Sequence, residues 1–401
     1  MKILHTADWH LGHRLQDFSQ FEEQQLFLQW LKQYIVEHKI DVLLLAGDVF
    51  DTGAPSNQSL QMYYDFLVNL KQTGCQSVVI TGGNHDSPGT LNAPKQLLNA
   101  LSIKVVGKAT EEVADEVFEI TINNEKLILA AVPYLRDQDI RRAVAGESFD
   151  ELTERYKTAL INHYNDVAVY CNQINTTKVP VIAMGHLFAV GGQLSDSEQN
   201  IYAGNLGHIG ADDFPDTFDY IALGHLHRPQ TVGGREHIRY AGSPYILSFS
   251  EIHYPKQMLE ISIEDNAIQS IKNIDIPRFR EIYSLTGTKQ ECLDRFSEMI
   301  SNSYGLKPWV EIVLDENSSV NTDDLRVQAE QYGFEILKIT LKNFDRRLTG
   351  IEEQLKQSQS IKELNPDDVF KLKCAEQNIN LDDRPELLDA FSEILQQAKG
   401  Q

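Results

Sequence analysis

Apolar residues gather into short runs that stop abruptly at polar clusters. Five such runs are Lys2 to Leu4, Asp41 to Ala46, Ser77 to Ile80, Val179 to Met184 and Tyr220 to Leu223. Runs this short and continuous, rich in Val, Ile and Leu, predict strands buried on both faces. Between the first two the period becomes helical: Leu28, Leu31 and Ile35 share one face of a predicted helix over Ser19 to His38. Ser19, with Glu22 three residues on, has the form of a capping box. A second helix is predicted over about Gln58 to Lys71. Strand–helix–strand alternation predicts α/β layers.

The middle of the chain changes character. Val117 to Ile122 and Lys126 to Val132 flank Asn123-Asn124, a hairpin signature. Glu151 to Asn175 predicts a helix, and Ile238 to Phe249 and Gln257 to Ile263 predict further strands. The first domain is expected to end near Ile276. Beyond Pro277 the predicted order is strand Ile282 to Leu285, helix Gln290 to Ser301, strand Val310 to Leu314, helix Asn321 to Tyr332 and strand Phe334 to Leu341. That β-α-β-α-β order fits a small two-layer α+β domain over 277–345. Leu348 to Glu363 reads as a linker or exposed helix. Two amphipathic helices, Pro366 to Gln377 and Pro385 to Gln397, have too little chain around them for a core of their own and are expected to dock on a partner.

Composition narrows the class. With 401 residues, 42% of them hydrophobic and 23% charged, the chain is expected to form a soluble protein of two or three domains. The start, MKILHTADWH, has the look of a first strand rather than a signal peptide, and no apolar run is long enough to span a bilayer. Cys75, Cys171, Cys292 and Cys374 form no C-x-x-C pair, which argues against a zinc knuckle or disulfide framework and for a reducing cytoplasm. The net charge of -22 speaks against a nucleic-acid substrate unless bound cations or a partner supply positive charge.

The residues after the five strands carry the chemistry: Asp8-Trp9-His10, Gly47-Asp48, Gly82-Gly83-Asn84-His85-Asp86, Gly185-His186 and Gly224-His225-Leu226-His227. Ligands of open α/β sheets bind outside the carboxyl ends of strands. Here those ends bring oxygen and imidazole donors and no thiolate, a set suited to first-row cations such as Mn²⁺. Two cations roughly 3.5–4 Å apart can clamp the attacking and leaving oxygens of a displacement at phosphorus. Asp48 is the residue expected to bridge them.

These motifs run D-x-H, G-D, G-N-H-D, G-H and G-H-x-H in order, and the chain thereby resembles the calcineurin-like metallophosphoesterase superfamily over its first two-thirds. The resemblance implies a four-layer metallophosphoesterase β-sandwich flanked by helices. It also implies one ion on Asp8, His10, Asp48 and His227 and another on Asp48, Asn84, His186 and His225. His85 would face the phosphate as general acid or transition-state stabiliser. Asp51, where other members place an acid, would form a dyad with His85.

Finer features resemble the SbcD family of nuclease subunits. They are Ile3 to Gly12, Gly47 to Pro55, and Tyr240-Ala241-Gly242-Ser243-Pro244 followed by Ser248-Phe249-Ser250-Glu251. That resemblance implies a phosphoesterase domain over 1–276, a capping domain over 277–345 and partner-docking helices over 346–401. It further implies a Mn²⁺-dependent (alternatively Mg²⁺-dependent) nuclease acting on DNA with an SbcC-type, SMC-like ATPase. Double-strand ends, hairpins and single strands would be its substrates. A homodimer within a heterotetramer, cytoplasmic and nucleoid-associated with no membrane attachment, completes the expectation, with the Gln58 to Lys71 helix as a candidate pairing element.

Blander readings stand beside these. His13 and Arg14 are candidate DNA-phosphate contacts or plain surface residues; His5 is expected in the core, and Trp9 in packing. His208 reads as a loop histidine. Arg136, Arg141 and Arg142 could follow a DNA backbone or mark an exposed helix face. Two rival functions are a protein phosphatase or cyclic-nucleotide phosphodiesterase, and a binding module that has lost catalysis. The first is weakened by Asp51-Thr52-Gly53, which lacks the arginine of the phosphatase motif, and the second by the full set of ligands.

Overall fold

A computed structural model describes residues 1–140, 148–189, 209–299, 304–315, 322–342 and Phe391. Its contacts fall into two units. One takes in Met1–Ile312 and Asn321–Ile339, the other Val313–Val320 and Thr340–Gln401. Arg141, Arg142, His208, the 348–363 linker and the two C-terminal helices apart from Phe391 lie outside the described residues.

Strands without polar alternation need cover on both faces, and two six-stranded sheets provide it. The first has the order β14 (Ala267–Asp275), β13 (Gln257–Glu264), β1 (Lys2–Thr6), β4 (Val42–Ala46), β5 (Ser77–Thr81) and β6 (Ile103–Val106). β1, β4, β5 and β6 run parallel, while β13 is antiparallel to β1 and β14 to β13. The second has the order β11 (Gln230–Val232), β12 (Arg235–Tyr240), β10 (Tyr220–Gly224), β9 (Val181–His186), β8 (Glu125–Ala131) and β7 (Val117–Ile122).

Alternate residues of one strand serve two cores. From β4, Val42, Leu44 and Ala46 enter the layer between the sheets with Leu129, Ile182, Met184 and Ala222. Leu43 and Leu45 point the other way, onto Phe27, Leu31 and Ile35 of α1 (Phe21–His38) and Tyr63, Phe66 and Leu67 of α2 (Asn57–Leu70). After the short helices α3 (Pro88–Asn92), α4 (Lys95–Asn99) and α5 (Asp137–Ile140), helix α6 (Phe149–Ile174) covers the far face of the second sheet through Leu160, Tyr164 and Val167. Helix, sheet, sheet, helix is the four-layer α/β sandwich expected.

Local differences have physical causes. Ser19 does not cap α1: it belongs to β3 (Phe18–Ser19), paired with β2 (Arg14–Leu15), and Gln20 precedes the helix with no side-chain cap. Gln20 instead bonds His13 Nδ1 at 2.6 Å and the Ile246 carbonyl at 2.8 Å. A capping box does occur at Ser148 and Glu151, opening α6. The strand expected to reach Phe249 ends at Tyr240, where Gly242 takes φ +79° and the chain turns. β14, with its mostly polar and half-exposed residues, is not foreshadowed by the apolar pattern. The hairpin turn holds, with Asn123 and Asn124 at φ 50° and 71°.

Beyond residue 277, β15 (Ile282–Gly287), β16 (Trp309–Leu314) and β17 (Glu335–Leu341) form a three-stranded sheet in that order, with α7 (Lys289–Phe296) and α8 (Asp323–Gln331) between them in sequence. Leu15 and Phe18 of the β2–β3 hairpin pack with Ile282, Trp309 and Leu337. Arg280 seals the junction: it is buried, bonds Glu23 Oε1 at 2.5 Å, and lies 4.1 Å from the centre of the Trp309 ring.

Candidate metal centre

β1, β4 and β5 are neighbours in the first sheet, β9 and β10 in the second, so their carboxyl ends open on one crevice. Four residues there, Asp8, His10, Asp48 and His225, take positive φ of 52°, 42°, 46° and 102°. Non-glycine residues rarely adopt such backbones, and functional sites are where they concentrate. Glycines make the close approach feasible. A Cβ on Gly83 would fall on the Asp48 carboxylate, and one on Gly47 would fall on the His186 ring.

The seven expected ligands are brought together. Asp48 Oδ2 lies 3.2 Å from His186 Nε2 and 3.6 Å from His10 Nε2. Asn84 Oδ1 sits 3.0 Å from His186 Nε2 and 2.9 Å from His225 Nδ1. Asp8 Oδ1 accepts from the His225 main-chain N–H at 2.9 Å and is 3.9 Å from His186 Nδ1. The rings of His10 and His227 have centroids 5.0 Å apart. All are buried except Asn84, which is half-buried.

So many polar groups out of water perturb one another. Burial raises the Asp8 carboxyl to about 7 against the pull of His186 and His227. Burial also acts to raise Asp48, but the charge and hydrogen bond of His186, with His10 and His85 adding to them, together outweigh it and hold Asp48 well below the usual range. His186 is lifted to about 9 despite burial, because Asp48 and Asp8 face it. Burial lowers His10 to about 4 and His225 to about 3. Asp8 Oδ2 and His10 Nε2 are buried without a hydrogen-bond partner. Buried polar atoms are normally paired. Unpaired donors among converging carboxylate, amide and imidazole groups fit a cation site, and Asp8, His10 and Asp48 have ligand atoms within 4.8 Å of one another.

His85 and Asp51 meet differently from the expected dyad. His85 Nδ1 donates to the main-chain carbonyl of Asp51 at 2.8 Å, and the His85 N–H donates to Asp48 Oδ1 at 2.9 Å. The Asp51 carboxylate turns to His10 instead, with Oδ1 3.3 Å from Nδ1. His13 is half-buried, its ring 6.4 Å from that of His10, whereas Arg14 is exposed and donates to the Asp17 carbonyl. Arg136 is close too, donating to the Asp86 carbonyl at 2.6 Å. His5 and Trp9 are fully buried core residues.

Two acids near the crevice were given no role in the sequence. Asp86 accepts from the N–H groups of Gly83, Val49 and Phe50 at 2.9–3.1 Å and so ties the second motif to the third. Glu251, from the turn at Phe249–His253, accepts from His227 Nδ1 at 3.0 Å. Burial acts to raise Glu251, but Lys256 and His227 hold it well below the ordinary range. The last residue of G-N-H-D was the available signal for Asp86, and the Ser248-Phe249-Ser250-Glu251 landmark was the one for Glu251, though neither spelled out a role.

Comparison with known proteins gives the family. The model of the family described as calcineurin-like phosphoesterase matches residues 1–229. A second, described as type 5 capsule protein repressor C-terminal domain, matches 278–378. The chain is 32% identical over 404 residues to the SbcD subunit of the SbcCD nuclease of Escherichia coli (strain K12), covering 100% of this chain and 99% of that one. It is 35% identical over 261 residues to the SbcD protein of Bacillus subtilis (strain 168), covering 64% and 65%. Among solved structures, Haemophilus influenzae NAD nucleotidase (NadN) aligns with TM-score 0.34 and 14% identity over 82% of this chain and 66% of that one, too loosely to carry an argument. Family membership implies divalent metal ions. Full-length similarity to one nuclease subunit, joined to the phosphoesterase match over more than half the residues, shows that this chain belongs to the calcineurin-like phosphoesterases and, within them, to the SbcD family.

Proposed function

We propose that this chain hydrolyses phosphodiester bonds in DNA as a two-metal nuclease subunit. The convergence of seven Asp, Asn and His side chains from five strand ends, with Asp8 Oδ2 and His10 Nε2 unpaired among them, carries the reading. Asp8, His10, Asp48 and His227 would hold one ion, and Asp48, Asn84, His186 and His225 the other. Such a pair would neutralise charge at phosphorus and lower the pKa of water so that hydroxide is available as the nucleophile. Mixed oxygen and imidazole donors favour Mn²⁺, with Mg²⁺ the alternative.

The chain's own residues do the rest. His85 is pinned through Nδ1 and its main-chain N–H, which leaves Nε2 for the substrate. Protonated there, it donates to a phosphoryl or leaving oxygen. His13, held by Gln20, and the exposed Arg14 are the candidate contacts for DNA phosphates in this reading. With a net charge of -22, affinity for DNA is weak without cations or a partner.

The names of the relatives support work within an SbcCD-type complex, with an SbcC-type ATPase as partner. ATP-dependent degradation of double-strand ends, opening of hairpins and single-strand cutting, at the nucleoid, are the finer parts of this proposal. So is the division into nuclease (1–276), capping (277–345) and docking (346–401) regions. Homodimer formation through α2 is also part of the proposal, although the groove of about 470 Å³ between α1 and α2 is lined mostly by polar residues such as Gln25, Gln58, Gln61 and Asp65, and Tyr63 and Leu67 pack into the chain's own core. The test is cleavage of blunt and hairpin duplexes in Mn²⁺ or Mg²⁺, with and without the ATPase. Metal-dependent cleavage is expected. Rapid dephosphorylation of phosphopeptides with DNA left intact would overturn the proposal in favour of a phosphatase.

A further inference from the structure

The histidines of the centre are held by their second nitrogens in different ways. His186 Nδ1 rests on the main-chain carbonyl of Ala46 at 3.0 Å, and His85 Nδ1 on that of Asp51. His227 relies on a side chain: Nδ1 lies 3.0 Å from Glu251 Oε1, and Glu251 is completely buried. The other oxygen, Oε2, accepts from Lys256 Nζ at 2.6 Å and the Leu247 N–H at 3.0 Å. Lys256 is also buried and donates to Ser243 Oγ at 2.7 Å. Taking a carboxylate and an ammonium out of water is costly even when they pair. Hydrophobic residues of similar size would fill the same space. The side of the carboxylate turned toward the crevice is what such residues could not replace.

We propose that Glu251, anchored by Lys256 and Ser243, is a positioning residue that holds His227 as the Nδ1–H tautomer and so presents Nε2 to the cation. An ionised carboxylate can only accept, and a neutral imidazole has one N–H to give. With that proton fixed on Nδ1, the lone pair is on Nε2, and the hydrogen bond sets the ring's direction and raises its basicity. This gives a task to the Ser248-Phe249-Ser250-Glu251 segment and to Ser243, both landmarks in the sequence without an assigned role. The inference rests on the reading of His227 as a ligand.

The experiment measures Mn²⁺ binding to the full-length chain by calorimetry. Glu251→Leu combined with Lys256→Met removes acceptor and cation together, so neither charge is left buried alone. One Mn²⁺ position is expected to weaken about 10–100-fold while the other is unchanged. Glu251→Gln with Lys256→Met restores an acceptor and regains part of the loss. Unchanged affinity at both positions in a folded Leu/Met variant overturns the proposal. If that variant fails to fold, ¹⁵N NMR of histidine-labelled, metal-free protein decides, with the His227 signal assigned by its loss in His227→Ala. An Nδ1–H tautomer supports the proposal and an Nε2–H tautomer overturns it. His227→Ala separates the two layers of argument. Two full-affinity positions there refute His227 as a ligand and the inference with it. One lost position, with none lost in the folded Leu/Met variant, refutes the positioning role alone.

Discussion

The sandwich and the three-stranded sheet beyond residue 277 treat charge in opposite ways. At the strand ends of the sandwich, Asp8, Asp48, His10, His186, His225 and His227 are buried together. In the smaller sheet and its helices, charges pair at the surface: Lys307 with Glu335, Lys338 with Glu311, and Lys289 with Asp324. Among the described residues after 277, Arg280 is the one charged residue in the core, and it serves the junction with Glu23. Exposed pairs contribute little to stability. Buried unpaired groups cost stability and persist where chemistry requires them. The contrast separates a region built to hold cations from one built to hold shape.

Substitutions can break or sharpen that contrast. The largest effect is expected from Asp48→Ala, which removes the one carboxylate shared by both proposed ions. Cleavage should fall to background and bound Mn²⁺ per chain should drop, measured by nuclease assay and metal analysis. Next comes His85→Gln, which should slow turnover about 10²–10⁴-fold, the usual worth of a general acid, with metal and DNA binding retained. Asp51→Asn keeps the main-chain carbonyl that His85 uses and alters only the group facing His10. It should weaken Mn²⁺ binding about 10–100-fold in calorimetry and leave the pH profile of turnover in place. A shifted profile would return Asp51 to a dyad with His85.

A pH series probes the same buried charges more gently. In the metal-free protein Asp8 is raised to about 7 and His186 to about 9, so both hold protons that a cation must displace. Proton release means that affinity rises with pH: up to about tenfold per unit for each proton, through 7 for Asp8 and on toward 9 for His186. Calorimetry in buffers of different ionisation enthalpy counts those protons. A pH-independent Kd between 6 and 8 would contradict the electrostatics described. The smallest effect belongs to the other region. Lys307→Ala, which breaks an exposed pair with Glu335, should move the melting temperature by about 2 °C or less.

Much of this was legible because chemistry and fold share one signal. A glycine and a candidate ligand directly after a buried strand locate both the sheet edge and the crevice, so Asp8, Asp48, Asn84, His186 and His225 could be grouped across more than two hundred positions. What escaped lacks that coincidence. Ser19 and Glu22 have the spacing of a cap, but the hairpin after the first motif takes Ser19 into β3. The direction of the Asp51 carboxylate depends on side-chain rotation, which no spacing encodes. Glu251 lies in a short turn outside any strand end, and only folding brings it under His227. β14 hid because an edge strand that is mostly exposed reads as polar chain.

The left-handed backbones at Asp8, His10, Asp48 and His225 have one more consequence. Each stores on the order of 1–3 kcal/mol that the surrounding sheets must supply. The loops at these strand ends are thus a wound spring, and the sandwich is the hand that keeps it wound. Mild denaturant should let the spring go first, so catalysis would fade at a lower concentration than the one at which the helices melt.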